Sequence, residues 1–423
     1  DVTLIQKRFQ NEGYITGFVG KLHYFPPTRD YAFSTGFDYG YLHDAGPTDE
    51  YSDYVKWLGE QEIIPEGGDY RECRKDTKNP YVTVIPEESH ETTWCGIKTR
   101  ELLKKLAKEE EPFFLFSSYW KPHSPFEIPE PWAKMYDDVE IELPPRVAQD
   151  YIDGLPMPVN ILAWRDKEKH FDLDKKEMMW KYRAYYGAVS QIDNEVGLTL
   201  KMLEDCGLAD NTIVVFCSDH GDMMYGHGLV DKNYFFDEAV HTPFIIKFPG
   251  IIKPGRYDDL IESTDVLASI FELCEINVPY SNQGKSFASY ITDGYVGSEY
   301  APRKYVFAEN IIPEIITDGA RDFRYEKGKG VKGVKHPDAK MIRSKKWKYN
   351  YYIDSEELYD LQNDSGETTN LAYDNKYSEI IRDLRKELLD WMITADEPDQ
   401  IAPAWFNVKN ENGDWSLWDK WKG

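Results

Sequence analysis

The alternation of amphipathic helices with short, almost continuous apolar strands constrains the fold of this 423-residue chain more than any other feature. Apolar strands are predicted at residues 14–19, 112–119, 212–217 and 243–248. Helical periodicity occupies residues 2–12, 97–110, 176–207 and 264–274. Strands without polar alternation are buried on both faces, which is typical of a parallel sheet covered by helices. The pattern therefore predicts an α/β sandwich with a largely parallel central sheet.

The texture of the sequence changes after about Asn282. Beyond it we predict short tyrosine-rich strands at 305–309 and 341–352, a glycine- and lysine-rich loop at 327–335 and a late helix at 378–391. We therefore predict a catalytic domain over residues 1–290 and a smaller C-terminal α+β subdomain over residues 291–423, whose tail carries four tryptophans.

Charge and composition exclude several classes of protein. The chain carries 75 acidic and 50 basic residues, for a net charge of −25, and such a surface repels phosphate backbones, so no nucleic-acid partner is predicted. Aromatic residues make up 15% of the chain, which is incompatible with general disorder. No apolar run approaches the roughly 20 residues that span a bilayer. The five cysteines form no CxxC pair, so no structural zinc site is predicted.

Three of the predicted strands are followed by cationic or metal-ligating side chains. The three sets are Lys21 with His23, Lys121 with His123, and Asp219 with His220. Because ligands bind at the carboxyl ends of the strands in such sheets, we expect these side chains to share one site. A carboxylate beside an imidazole suits a divalent cation, although for an isolated pair a turn cap is the more ordinary explanation.

Lysine and histidine two positions apart suit the binding of a tetrahedral oxyanion. On an extended segment Lys21 and His23 point to the same side. Lysine contributes a point charge, and histidine acts as an acid or base near neutral pH. Lys232, twelve residues after His220, is a further candidate. Each pattern alone is also typical of a solvated loop, but together they predict a pocket for a small anion, as in sulfate- or phosphate-ester chemistry, without deciding between the two.

Four segments resemble the motifs of the type I sulfatases, in the order in which that family has them. Residues 13–23 (GYITGFVGKLH) resemble its GY-x-T-x-x-x-GK-x-H signature, and residues 121–126 (KPHSPF) resemble its KPH-x-PF segment. Residues 218–243 (SDHGDMMYGHGLVDKNYFFDEAVHTP) are similar to its metal-binding and lysine segment. Residues 341–371, which include ELYDL and ETTNL, are similar to its C-terminal ending.

The resemblance implies an alkaline-phosphatase-like fold and the hydrolysis of a sulfate ester with one Ca²⁺ ion and a formylglycine nucleophile. By matching positions, Asp219 and His220 would be metal ligands. Lys21 would hold the formylglycine and metal side, and His23 would take the proton when the sulfated nucleophile breaks down. The sulfate oxygens and the leaving group would be bound by His123 and Lys232, with Lys121 and His227 as further substrate-binding candidates. A structural role suits His227 at least as well.

One departure from the family pattern concerns the nucleophile. No C/S-x-P/A-x-R motif occurs in the chain. In the family, that motif and an Asp-Asp pair lie upstream of the segment that residues 13–23 resemble. We therefore expect an N-terminally incomplete sulfatase. The 423-residue chain alone is expected to bind Ca²⁺ weakly and to turn over no sulfate ester.

Two alternatives stay open at the level of the sequence. A phosphonate or phosphate ester hydrolase of the same superfamily shares the lysine and histidine segments, although the C-terminal ending favours a sulfatase. A non-catalytic carbohydrate-binding protein would not need the whole set of lysines and histidines. Loops at 28–47 and 151–170, rich in aromatic and charged residues, favour a sulfated carbohydrate over a simple aryl sulfate. The resemblance implies a periplasmic or secreted location, and the sequence predicts no oligomeric state.

Overall fold

The computed structural model describes most of the chain between residues 4 and 395. The described residues are 4–24, 26–43, 51–65, 70–76, 81–145, 151, 154–156, 175–279, 282–292, 300–310, 339–353 and 355–395. The helices within them are α1 (Ile5–Asn11), α2 (Arg29–Ser34), α3 (Asp53–Glu60), α4 (Tyr70–Cys73), α5 (Glu91–Leu106), α6 (Lys175–Asp205), α7 (Asp237–Val240), α8 (Ser263–Leu273), α9 (Ala288–Ile291) and α10 (Ser378–Ala395). The predicted loop at 327–335, the tryptophan-rich tail and most of the loop at 151–170 lie outside the described residues.

The first sheet is parallel, as the apolar strands predict. Its strands are β1 (Ile15–Gly20) in the centre, β2 (Tyr39–Leu42) on one side and β3 (Phe113–Ser118) on the other. Phe18 and Val19 are fully buried, because helices and loops cover both faces of the central strand. Helix α5 packs on one face, where Trp94 and Leu102 join Val19 in a common apolar cluster. The carboxyl ends of the three strands consequently meet at one edge.

A second sheet departs from the predicted parallel arrangement. Within the described residues, β4 (Val214–Cys217) and β5 (Phe244–Lys247) form an antiparallel ribbon. The sequence placed both strands to within two residues but not their relative direction. The connection between them carries the short helix α7 in place of a long crossover helix, which is a connection that antiparallel strands can use.

The long helices follow their sequence signals, with one shifted start. Helix α6 covers residues 175–205, close to the predicted 176–207. Helix α5 begins at Glu91, ahead of the predicted residue 97, because the His90 side chain caps it by accepting a hydrogen bond from Thr92 N at 3.4 Å. Among the described residues, no helix combines the length and the apolar character needed to cross a bilayer.

The C-terminal region forms an antiparallel meander with α10 on one face. Its strands are β6 (Val306–Asn310), β7 (Ala339–Arg343), β8 (Trp347–Tyr352) and β9 (Ser355–Asp360). The strand predicted at 341–352 is two strands, because Ser344 Oγ accepts a hydrogen bond from Trp347 N at 2.8 Å and closes a turn. The face opposite α10 packs against residues of the 223–239 region, where Met341 and Tyr352 contact a cluster that contains Phe235 and Phe236. The C-terminal sheet therefore packs directly against residues 223–239 and supports them.

Candidate active site

The ends of β1 and β4 bring Lys21 and Asp219 together. Lys21 follows β1 directly, and its Nζ lies 3.6 Å from Asp219 Oδ2, although the two residues are far apart in sequence. The turn between strand and lysine depends on Gly20, which has a φ of +96°. Lys21 N also donates to the Ser118 carbonyl oxygen at 3.1 Å, which fixes Lys21 against the end of β3. Two strand ends therefore place an ammonium beside a carboxylate.

Asp219 and His220 present two acceptor atoms to the same space. His220 Nδ1 donates to the Gly221 carbonyl oxygen at 2.7 Å, and this assigns the ring proton to Nδ1. His220 Nε2 therefore takes no part in the bond to Gly221, and this atom lies 3.4 Å from Asp219 Oδ2. Burial alone would raise the pKa of the Asp219 carboxyl, but the positive charges of a protonated His220 and of Lys21 outweigh it and the pKa is lowered. Without that proton, His220 Nε2 presents a lone pair to the same space. An ionised carboxylate beside an imidazole lone pair is a donor pair for a divalent cation.

His123 and Lys232 form the second half of the site. His123 Nδ1 donates to the Ser124 carbonyl oxygen at 2.7 Å, so its Nε2 accepts from Lys232 Nζ at 2.8 Å. Burial lowers the pKa of His123, and the charges of Lys232 and Lys21 lower it further. The His123 and His220 ring centroids are 6.5 Å apart, which joins this half to the Asp219 pair. The predicted residues Lys21, His123, Asp219, His220 and Lys232 thus lie in one cluster.

The segment that carries Lys232 has an unusual backbone. Four non-glycine residues have a positive φ: Met224, Tyr225, His227 and Asp231, at +40°, +69°, +55° and +70°. Each costs of order 1 kcal/mol or more, so the surrounding structure must hold the segment in place. Such outliers concentrate at functional sites, and here the last of them directly precedes Lys232.

Lys121 is placed differently from its prediction as a substrate-binding residue. Its side chain is buried, and its Nζ lies 3.1 Å from Glu91 Oε1 and donates to the Pro125 carbonyl oxygen at 2.6 Å. The Glu91 carboxylate also contacts His43 Nε2 at 2.8 Å. An ammonium already occupied by these partners is not placed to contact a substrate, so the geometry favours a role for Lys121 in holding the loop that carries His123.

The contacts described so far do not include His23 or His227. His23 is exposed and has a φ of +55°, so the chain after Lys21 is not extended and the argument that both side chains point to one side is wrong. The His227 ring stacks on Phe236 with centroids 3.8 Å apart, and its Nδ1 lies 2.7 Å from the Tyr151 hydroxyl. These contacts favour a structural role for His227, and the proton-accepting role of His23 stays a prediction.

Sequence reasoning missed one residue at the centre of the cluster. The Trp120 ring centroid lies 5.0 Å from Lys21 Nζ and 5.0 Å from the His123 ring centroid. At this distance the ring face attracts the ammonium and separates it from water on one side. The position of Trp120, directly before the KPHSPF segment, was the available signal. Within the described residues, no group of three or more histidine, cysteine or acidic side chains is arranged to hold a metal ion.

Comparisons with known proteins agree on one family. The family model named Sulfatase matches residues 2–276. An arylsulfatase from Clostridium perfringens (strain 13 / Type A) is 27% identical over 417 residues, which cover 91% of this chain and 77% of that protein. A Delta 4,5-hexuronate-2-O-sulfatase from Bacteroides thetaiotaomicron is 29% identical over 305 residues, covering 69% of this chain and 58% of that protein.

Solved structures agree on the fold. The phosphonate monoester hydrolase SpPMH from Silicibacter pomeroyi superposes with a TM-score of 0.79 at 21% sequence identity. The superposition covers 98% of this chain and 83% of that chain. At this level of identity the likeness concerns the fold, and it confirms the alkaline-phosphatase-like α/β architecture.

Proposed function

Because this chain belongs to the sulfatase family, within the alkaline phosphatase superfamily, we propose that it serves the hydrolysis of a sulfate ester. The observation that carries the proposal is the convergence of two lysines and two histidines around one carboxylate. Lys21 Nζ lies 3.6 Å from Asp219 Oδ2, and Lys232 Nζ lies 2.8 Å from His123 Nε2. In a chain with a net charge of −25, this cationic cluster favours an anionic group that carries several oxygens.

Lys232 and His123 would act on the sulfate and on the leaving oxygen. The Nε2 lone pair of His123 orients the Lys232 ammonium, which keeps further N–H groups for a sulfate oxygen. His123 is neutral before binding because burial and the lysines lower its pKa. A bound anion offsets the lysine charges. We then expect the Lys232 ammonium to turn to a sulfate oxygen, and His123 Nε2 to take up a proton from solvent and pass it to the departing alcohol oxygen.

Asp219 and His220 would hold a divalent ion, for which the family resemblance indicates Ca²⁺. Their donor atoms, Asp219 Oδ2 and His220 Nε2, face each other at 3.4 Å and fit two positions of a coordination shell. Ca²⁺ takes roughly six to eight ligands, so these two donors form only part of a site. A bound Ca²⁺ would polarise a sulfate oxygen.

We further propose that the formylglycine nucleophile and the remaining metal ligands come from a segment outside this chain. No cysteine or serine here lies in the required motif. The strand edges support the idea. In the described residues β3 is the last strand of its sheet and β4 pairs only with β5. Phe116 on β3 and Phe216 on β4 are exposed, and exposed apolar edge strands are places where another strand pairs.

A sulfated carbohydrate is the substrate class that we favour. The name of one relative, the hexuronate-2-O-sulfatase, describes a carbohydrate substrate. Trp120 lies inside the cluster, with its ring centroid 5.0 Å from that of His123, so an aromatic ring for stacking on a sugar is present. The second candidate, a phosphonate monoester, is favoured by the fold likeness to SpPMH. The same cationic cluster would serve either anion.

The test compares three substrates on the complete gene product with added Ca²⁺. A sulfated uronic-acid disaccharide, an aryl sulfate and an aryl phosphonate monoester are assayed for the wild type and for Lys232→Met and His123→Gln. We expect the highest kcat/KM on the sulfated disaccharide, and a fall of about 10²- to 10³-fold in each variant. Lys253→Met, a change outside the cluster, is the matched control.

Higher kcat/KM on the phosphonate would move the assignment to the second candidate. Binding of the disaccharide without turnover of any ester would support a carbohydrate-binding protein. The 423-residue chain alone, assayed in parallel, is expected to show no turnover because its nucleophile is supplied from elsewhere. Turnover at an enzymatic rate by that chain would contradict this part of the proposal.

A further inference from the structure

The C-terminal sheet binds the segment that directly follows Lys232. Three side chains of the C-terminal region hydrogen-bond the backbone of residues 233–237, here called the 233–237 segment. Asn310 Nδ2, at the end of β6, donates to the Asn233 carbonyl oxygen at 2.9 Å. Lys348 Nζ, on β8, donates to the Phe235 carbonyl oxygen at 2.9 Å. Glu367 Oε2 accepts a hydrogen bond from the backbone N–H of Asp237, the last residue of the segment, at 2.7 Å.

Lys348 is the centre of this contact. Its side chain is fully buried, and its Nζ also pairs with Asp237 Oδ1 and lies 2.7 Å from Glu367 Oε1. Arg343, on β7, reaches the other oxygen of the Asp237 carboxylate at 2.9 Å. Replacing a buried ion pair by apolar residues often leaves stability unchanged, so stability alone is a weak reason for this arrangement. What the ammonium defines is the position of the Phe235 carbonyl and of the Asp237 carboxylate.

The 233–237 segment connects two parts of the site. At its start it follows Lys232, which bonds His123. Just beyond its end, the Ala239 carbonyl oxygen accepts a hydrogen bond at 2.8 Å from the N–H of Gly221, the residue after His220. A displacement of the segment would therefore move Lys232 and the residue next to His220 at the same time.

Apolar packing keeps the segment in the same place. Phe235 and Phe236 are buried in one cluster with Met341 and Tyr352 of the C-terminal sheet. Lys232 itself is only partly buried and carries none of these contacts. The Lys232 ammonium bonds His123 and lies 3.6 Å from Asp231 Oδ1, but the Lys232 backbone is positioned by its neighbours in the chain, which include Asp231 with a φ of +70°.

We propose that Lys348 and Asn310 of the C-terminal sheet are positioning residues for the anion site, acting through the 233–237 segment on Lys232. The proposal rests on the proposed function, because it assumes that Lys232 binds the anion. It assigns the C-terminal region a part in the site without any contact of its own with the substrate. A chain whose C-terminal sheet is perturbed would keep all the side chains of the cluster and still bind the anion poorly.

The experiment measures the affinity of the complete gene product for inorganic sulfate in Ca²⁺ buffer by titration calorimetry, alongside the melting temperature of each variant. The variants are Lys232→Met, Lys348→Met and Asn310→Ala. The control is Lys345→Met, because Lys345 lies in the same β7–β8 hairpin but is exposed and pairs with Asp259 at the surface. We expect a loss of at least about tenfold for Lys232→Met and Lys348→Met, and of about fivefold for Asn310→Ala. Lys345→Met is expected to bind sulfate like the wild type.

Asn310→Ala keeps the proposal testable if Lys348→Met does not fold. It removes one partly buried hydrogen bond, so we expect the melting temperature to fall by less than about 3 °C. A merely structural role would lower melting temperatures and leave the sulfate affinity of the folded protein unchanged, and that result for Asn310→Ala would overturn the proposal. Unchanged affinity in Lys232→Met would instead overturn the assignment of the anion site, and with it the proposed function on which this inference rests.

Discussion

The two halves of the candidate site are held in place by different means. Lys21 follows the central strand of a parallel sheet and is fixed by a backbone hydrogen bond to the end of β3. Lys232 lies on an irregular stretch with positive φ values. The segment that follows it is held by hydrogen bonds from the antiparallel C-terminal sheet. The first lysine is positioned by the backbone ladder of the parallel sheet to which its own strand belongs. The second depends on side chains of a separate sheet, which bond the backbone of the segment that follows it.

This difference teaches which parts of a site a sequence pattern can reveal. A strand end is a local feature, so a lysine that follows an apolar run is recognisable as a candidate. The support of Lys232 is a tertiary feature, because Asn310, Lys348 and Glu367 meet the 233–237 segment only after the whole chain has folded. Mutations should therefore affect the two halves through different neighbours.

The largest expected effect comes from two glycines, one directly before Lys21 and one directly after His220. A Cβ at Gly20, which has a φ of +96°, would lie 1.9 Å from the Ser118 carbonyl oxygen. A Cβ at Gly221 would lie 1.9 Å from the Glu238 carbonyl oxygen. Because backbone must move in both cases, we expect Gly20→Ala and Gly221→Ala each to lower the free energy of unfolding by about 3 kcal/mol. Urea denaturation followed by circular dichroism measures the change.

Measuring the sulfate affinity of Gly20→Ala and Gly221→Ala as well compares the two routes by which the lysines are held in place. Gly20→Ala should weaken binding through Lys21, and Gly221→Ala through the 233–239 region. The control is Gly59→Ala in α3, where a Cβ meets no atom within 4 Å, and which should raise the free energy of unfolding by about 0.5–1 kcal/mol. Equal stability of Gly20→Ala and wild type would contradict the close approach of β1 and β3 at the site.

The next effect is a difference in pH dependence between two carboxylates. Burial raises the pKa of Glu367 to about 7, even though Lys348 lies beside it. Between the ordinary carboxyl pKa of about 4.5 and this value, the folded state keeps a proton that the unfolded state has lost. The contribution of this group to the free energy of unfolding therefore falls as the pH rises from about 4.5 to 7, by about 3 kcal/mol, and is constant above that range.

Asp219, in the other half, should respond with the opposite sign. Its pKa is lowered because His220 and Lys21 outweigh the effect of burial, so its contribution is present above the ordinary aspartate pKa and is lost as the pH falls. We expect Glu367→Gln to remove the loss of stability between pH 4.5 and 7, and Asp219→Asn to reduce the loss in acid. Melting temperatures measured from pH 3 to 8 test both. A wild-type curve parallel to that of Glu367→Gln would show that Glu367 has an ordinary pKa.

Much of the fold and part of the site could be predicted from the sequence. The apolar runs around Phe18, Phe114 and Val215 identified three of the strands. Burial on both faces explains this signature for β1, where Phe18 and Val19 are fully buried, whereas Phe116 on β3 and Phe216 on β4 are exposed in the described structure. Lys21, His123, Asp219, His220 and Lys232 were recognised from motif spacing, and they lie together in the structure. These are local signals followed by a rule about strand ends.

The rest could not be predicted, for physical reasons that differ between residues. The direction of β5 relative to β4 depends on how the connection packs, which apolar content does not encode. Lys121 shares the spacing of Lys21, but Glu91 draws its ammonium into the interior. The φ of +55° at His23 breaks the extended segment on which its prediction depended. Lys348 alternates with aromatic residues like an ordinary strand lysine, and only the fold reveals that it is buried.

The smallest expected effect concerns Trp120, which borders both halves. Its ring lies 5.0 Å from Lys21 Nζ in the first half and 5.0 Å from the ring of His123, the partner of Lys232. Replacing it by phenylalanine keeps an aromatic face but weakens the attraction for the ammonium, which is worth about 0.5–1 kcal/mol at partly exposed sites. We expect Trp120→Phe to lower sulfate affinity by about two- to fivefold and to leave the melting temperature nearly unchanged. Trp180→Phe is the matched control, because Lys176 Nζ lies 4.7 Å from that ring on the exposed surface of α6. If Trp120→Phe and Trp180→Phe bound sulfate equally well, Trp120 would be a packing residue. The contact of its ring with Lys21 and His123 would then contribute nothing to sulfate binding.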